Sequence, residues 1–160
     1  MSLAPVQGRD ALPSLPVLLL AAAWLGAALL VATVVAPAAF AVLPSRTLAG
    51  ALVGRVLPVI FLAGLPVGAL LAWRGRPTAR GAGVLATVGC AAAQFLIGPR
   101  IEAIRRAVVG PMDALSITDA RRVAFGRLHG LSVASLGLAM LAVGVAIVIG
   151  SINRSPEVHP

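Results

Sequence analysis

The 160-residue sequence has one cysteine, two histidines, five carboxylates and no lysine. A single cysteine, Cys90, excludes an internal disulfide and a thiolate cage for a metal. Zinc needs three or four ligands, and the Cys, His and Asp residues form no cluster that could supply them. A bis-histidine haem needs two helical histidines, and the apolar runs contain only His129. Met112 and Met140 lie too far apart to suggest copper. Ser132 and His129 lie on one helical pattern without an orienting acid nearby, so they are not a hydrolase dyad. No strand pattern leads into a glycine-rich phosphate loop. No cofactor is expected.

Charge is also scarce. Only 11% of residues are charged and 59% are hydrophobic, and the mean hydropathy is +1.01. A soluble domain of this length could not hide that much apolar surface. Lipid removes the conflict, and in lipid only helices or closed barrels satisfy the backbone. The 25 residues from Leu128 to Ile152 contain no Asp, Glu, Lys or Arg. About 20 apolar residues suffice to cross a bilayer as a helix. Three further runs match this one. The expected fold is therefore an all-α polytopic membrane protein: four transmembrane helices in a bundle, spanning about 15–42, 48–73, 81–99 and 122–152.

Short tails are expected at 1–14 and 153–160. A signal peptide competes for the first run, but such apolar regions have about 7–15 residues. Leu15 to Val35 already has 21, so a retained helix is favoured. Pro37 is expected to loosen the end of helix one, and Pro58 and Pro66 interrupt helix two. Pro99 ends helix three. Beyond it, Ile101, Ile104 and Val108 recur at helical spacing among Arg and Glu, which predicts an amphipathic interfacial helix between helices three and four. Ser116, Thr118 or Asp119 can cap helix four.

All 13 basic residues are Arg, and the net charge is +8. They cluster at the ends of apolar runs, where orientation signals lie. No stripe of stacking aromatics accompanies them, so no nucleic acid is expected. An Ala- and Arg-rich coding bias competes with an anion-binding role for the guanidiniums. Four spans put both termini on one side. That side carries five Arg and the other eight, which favours the second as cytoplasmic; if Arg55, Arg100 and Arg127 are held inside the bundle, the count is five to five and sets no orientation. The expected location is a cell membrane, a bacterial inner membrane.

Alternating helix directions bring the end of helix one, the start of two, the end of three and the start of four to one mouth. Arg55, Arg100, Glu102, Arg127 and His129 belong to it, with Gln94 and Ser132 a turn or two deeper. Ionisable groups in spans usually face the bundle interior. The expected ligand site is thus a polar pocket lined by Arg55, Arg100, His129 and Ser132, suited to an anion or polar headgroup. Two other roles compete for these residues: snorkelling of Arg100 and Arg127 to phosphates, and packing of His129. An Arg100–Glu102 pair would shrink the pocket. Gly50-x-x-x-Gly54 and Gly64-x-x-x-Gly68 are candidate sites of close helix contact, with chance as the alternative in a chain holding 17 Gly. Transport or small-molecule binding is the first functional reading, with homo-oligomerisation expected because four spans are few for a lone carrier. The second is an assembly module whose glycine faces pack on another membrane protein. The third is an enzyme acting on a lipid headgroup or quinone.

The stretch Phe125-Gly-Arg-Leu-His-Gly-Leu-Ser132 resembles the F-x-x-x-H-G-x-S signature of the transmembrane protein 205-like family. Pro99-Arg100 is similar to the Pro-Arg that ends that family's third helix. Trp24 to Gly26, Phe40 to Pro44 and Pro58 to Phe61 are similar to its remaining elements, so the likeness covers about residues 15–150. The chain departs from the pattern at Gly98, where an acid is usual, at Leu136 for Asn, and at Leu57 for Phe. The resemblance implies a four-span membrane fold and draws attention to Arg100, His129 and Ser132. It implies no reaction, since the family has no agreed activity.

Overall fold

Four helices run antiparallel: α1 Leu15–Val42, α2 Arg46–Arg74, α3 Pro77–Ala107 and α4 Ala120–Ile152. The computed structural model describes residues 15–75 and 77–152. The expected tails, with Arg9, Arg154 and His159, lie outside the described residues, as does Arg76. Each helix is long and apolar enough to cross a membrane. At about 1.5 Å per residue even α1, the shortest, exceeds a 30 Å hydrocarbon core.

Local chemistry sets the ends. Ser45 is extended and accepts the Leu48 N–H at 3.2 Å, which caps α2. Asp119 does the same for α4, accepting the Arg121 N–H at 2.8 Å. Gly110 has φ +97, a left-handed turn that suits glycine, and the chain reverses there. Arg122 then donates to the Leu115 and Asp113 carbonyls at 2.6 and 3.3 Å, tying the α3–α4 linker to α4.

Two prolines that were expected to loosen or stop helices are instead bridged by wide turns. Val31–Val35 and Ala92–Ile97 are π-helical, and each lies just before a proline, Pro37 and Pro99. A proline lacks an N–H and crowds the carbonyl four residues back. A wider turn gives that carbonyl room, and Gly98 N–H reaches back five residues to the Ala93 carbonyl. The expected end of α3 at Pro99 is therefore corrected. The amphipathic segment is present at Gly98–Ala107, but as a direct extension of α3.

The interior is small and the exterior large. Buried positions include Ala21, Ala28, Ala86, Ala93, Ala139 and Ala146, while Leu19, Leu30, Val59, Val88, Leu96 and Leu141 are exposed. Lipid tails are as apolar as leucine, so large side chains gain little by turning inward, whereas small ones let backbones close up. The helices form a ring in which α3 packs on α2 and α4, and α1 packs on the same two from the other side. Neither diagonal makes comparable contact.

Glycine notches hold the seams. Gly68 meets Thr87 and the Gly83 backbone across the α2–α3 seam. Gly64 faces Cys90 and the Trp24 ring, and the Trp24 indole donates to the Ile60 carbonyl at 2.9 Å. The expected close approach at Gly64 and Gly68 thus occurs inside one chain. Both glycines are buried, so neither offers a face to another protein.

Candidate functional site

The mouth is built from the end of α1, the start of α2, the α3 extension and the start of α4. Eight arginines and three carboxylates lie there: Arg46, Arg55, Arg100, Arg105, Arg106, Arg121, Arg122 and Arg127 against Glu102, Asp113 and Asp119. Two ion pairs form, Arg106–Glu102 at 3.3 Å and Arg121–Asp119 at 2.8 Å. An excess of five positive charges remains.

The expected site residues stand at this end but do not converge. Arg55, Arg100, Glu102, Arg127 and His129 are exposed, Gln94 is half-buried and Ser132 is buried. Arg100 donates to the Leu96 carbonyl of its own helix at 3.3 Å and makes no pair with Glu102, which Arg106 engages instead. Arg127 lines an open groove with Thr118, Val123 and Leu128. Gln94 lies in the π turn of α3. Among the described residues no two members of the set share a side-chain hydrogen bond, and the Ser132 hydroxyl has no hydrogen-bond partner.

His129 was expected to face the bundle interior, and its exposure has a structural cause. The buried stripe of α4 runs through Ser132, Leu136, Ala139, Val143, Ala146 and Gly150, and His129 flanks it. A methyl at Gly144 would lie 3.7 Å from Leu25, and one at Gly150 would lie 3.2 Å from Leu18. These two positions therefore define the side of α4 that α1 covers. At about 100° per residue, His129 points midway between them. Toward the mouth, however, α1 leans on α2, where Ala39 packs with Ala49 and Val53. The side of α4 bearing His129 is left uncovered, and the mouth opens sideways between α1 and α4. His129 is also about 35 Å from Ile152 along the helix, at the level of an interface rather than the hydrocarbon centre.

The part of the mouth missed from sequence is a stack across α2, α3 and α4. The Arg105 guanidinium donates from Nη2 to the Gly50 carbonyl at 3.2 Å. It lies over the Phe125 ring at 5.5 Å, and Phe125 stacks parallel to His129 at 6.1 Å. Its Nη1 occupies the space a Cβ at Gly54 would take, 2.8 Å away. The Gly50-x-x-x-Gly54 motif is thus a notch for an arginine, not for another helix. A signal was present: Arg105 follows Ile101 by four residues and so shares the inward face with Ile104 and Val108. Chemically, the mouth offers hydrogen-bond donors and positive charge. Among the described residues no group of three or more His, Cys, Asp or Glu could hold a metal.

A family model described as a domain of unknown function, DUF4149, matches residues 19–109. No curated protein and no solved structure matches the chain.

Proposed function

Since the chain belongs to the domain of unknown function family DUF4149, which brings no activity with it, we propose from the geometry that this integral membrane protein binds or carries a small anion or anionic headgroup at the arginine-rich mouth. The observation that carries this reading is the sideways opening between α1 and α4. There His129 is exposed on the very face of α4 that α1 covers lower down. An amphiphile with a charged head can enter such an opening from the membrane without losing its tail from lipid. Arg55, Arg100 and Arg127 supply long-range attraction, and His129, with Gln94 and Ser132 a turn or two deeper, supplies hydrogen-bonding groups; Glu102, held by Arg106, limits the excess of positive charge rather than touching the anion. The transmembrane protein 205-like resemblance at Phe125–Ser132 agrees with this choice of helix, and a bacterial inner membrane is the setting we favour.

The reading predicts that phosphate or phosphatidate raises the thermal midpoint of the protein in phosphatidylcholine nanodiscs. Saturation at a hundred times Kd adds about 2.7 kcal/mol. His129→Gln and Arg100→Gln should reduce that rise with little loss of fold. No rise with any anion, or an equal rise with a neutral additive, would refute it. One observation favours assembly as a second reading. Gly126, Gly130 and Gly137 lie on one side of α4 with no atom within 4 Å of an added Cβ, so the face free for a partner helix differs from the motifs first suspected. Loss of an oligomer on Gly137→Leu, without anion binding, would support that reading instead.

A further inference from the structure

A half-buried cation favours a counter-charge, and among the described residues Arg105 forms no ion pair. It lies on the inward face of the α3 extension, more enclosed than the exposed Arg55, Arg100, Arg106 and Arg127. Burying charge is costly unless it is paired. Glu102, three residues back on the same helix, is already engaged by Arg106 at 3.3 Å. Among the described residues Arg105 has one carbonyl, that of Gly50, and one aromatic face, that of Phe125. A guanidinium has five N–H donors in a planar fork, and Gly50 takes a single one.

We infer that Arg105 is the anion-reading group of the mouth: seated in the Gly50–Gly54 notch against Phe125, it presents its free N–H edge to two oxygens of a phosphate. The chemistry is that of a phosphate or phosphomonoester, whether free or on a lipid headgroup. A planar fork matches two phosphate oxygens, which a lysine ammonium cannot do. The notch fixes the plane of the fork before the ligand arrives, so less side-chain freedom is lost on binding. The Phe125 ring behind it stacks in turn on His129. This assignment rests on the anion-binding reading above.

Two variants separate placement from charge. Arg105→Lys keeps the charge and loses the fork. Gly54→Ala keeps the arginine but puts a methyl 2.8 Å from its Nη1, so the flexible end of the side chain must leave the notch. Binding of inorganic phosphate is measured by calorimetry on protein in phosphatidylcholine nanodiscs, and lipid binding by the thermal midpoint with and without phosphatidate. Shielding of Cys90 from a maleimide at ambient temperature checks the fold of each variant. Both variants should weaken binding roughly tenfold to a hundredfold, the loss of a charge-assisted bidentate contact. Arg74→Gln, at the opposite end, should bind as wild type. A response to phosphatidate alone identifies a headgroup, and a response to inorganic phosphate identifies a free anion. If folded Arg105→Lys and Gly54→Ala both bind as wild type, Arg105 is not the reader, although the mouth still binds anions. If wild type binds neither ligand, both readings fall.

Discussion

Gly64→Ala is the sharpest test of how this bundle is held. A methyl at Gly64 would lie 2.6 Å from Cys90 Sγ and 3.0 and 3.1 Å from Trp24 Cζ2 and Cε2. None of these atoms has room to retreat. Cys90 is 0% exposed and Trp24 5%, and the indole is held by its hydrogen bond to the Ile60 carbonyl. Overpacking of a tight interior costs about 1–3 kcal/mol. Alanine recovers up to about 1 kcal/mol of helix propensity over glycine. The net expectation is a loss of about 1–2 kcal/mol, which for a chain of this size lowers the midpoint by roughly 2–8 °C. Cys90 is the only cysteine, so a fluorogenic maleimide reports its unmasking on heating. Helical circular dichroism in the same detergent guards against a purely local effect at the thiol. Gly26→Ala is the control, since no atom lies within 4 Å of a Cβ there, and its midpoint should hold or rise. A Gly64→Ala midpoint at or above wild type by both probes would refute the packing reasoning.

Trp24→Phe should cost less than Gly64→Ala, about 0.6–1.5 kcal/mol, because only the bond to the Ile60 carbonyl is lost while most of the ring volume remains. Trp24→Ala should cost more, and equal losses by thermal melting would show that the hydrogen bond, not the ring, is what matters. At the mouth, hydrogen bonds from the Arg121 side chain, then from its backbone N–H, hold the Asp119 carboxyl down at about 2. An unfolded Asp titrates near 3.9, so its stabilisation is complete above about pH 4 and fades as pH falls toward 2. The midpoint of Asp119→Asn, which keeps a capping side chain, should trail wild type at neutral pH, and the gap should have narrowed sharply by about pH 2. A gap that stays constant through that window would contradict the pairing.

The four spans were legible because length and apolarity alone decide them: Leu128–Ile152 had to cross something like a membrane. The start of α2 was nearly legible, with Ser45 standing where a cap belongs. The end of α3 was not. Proline usually stops a helix, and nothing in Gly98-Pro99-Arg100 announces that a π turn will carry the chain past it. The mouth was legible as a level but not as an arrangement. Helix directions put Arg100 and His129 at one end, yet whether His129 is covered depends on where the last turns of α1 lean, and this is a tertiary choice. Arg105 was overlooked as one basic residue among several. Its place beside Ile101, Ile104 and Val108 on a single helical face was the clue, and the glycine notch that receives it lies 55 positions away in the chain.

The seating of Trp24 has a consequence for biogenesis. Leu15–Val42 contains no ionisable residue, so this helix is stable in lipid by itself once inserted. Its partners at Gly64, Gly144 and Gly150 are synthesised later, the last of them more than a hundred residues downstream. Made before α2 and α4, α1 must therefore wait in the bilayer for its place between them. The indole N–H, left without an acceptor during that wait, supplies a directional reason for α1 to dock once α2 arrives.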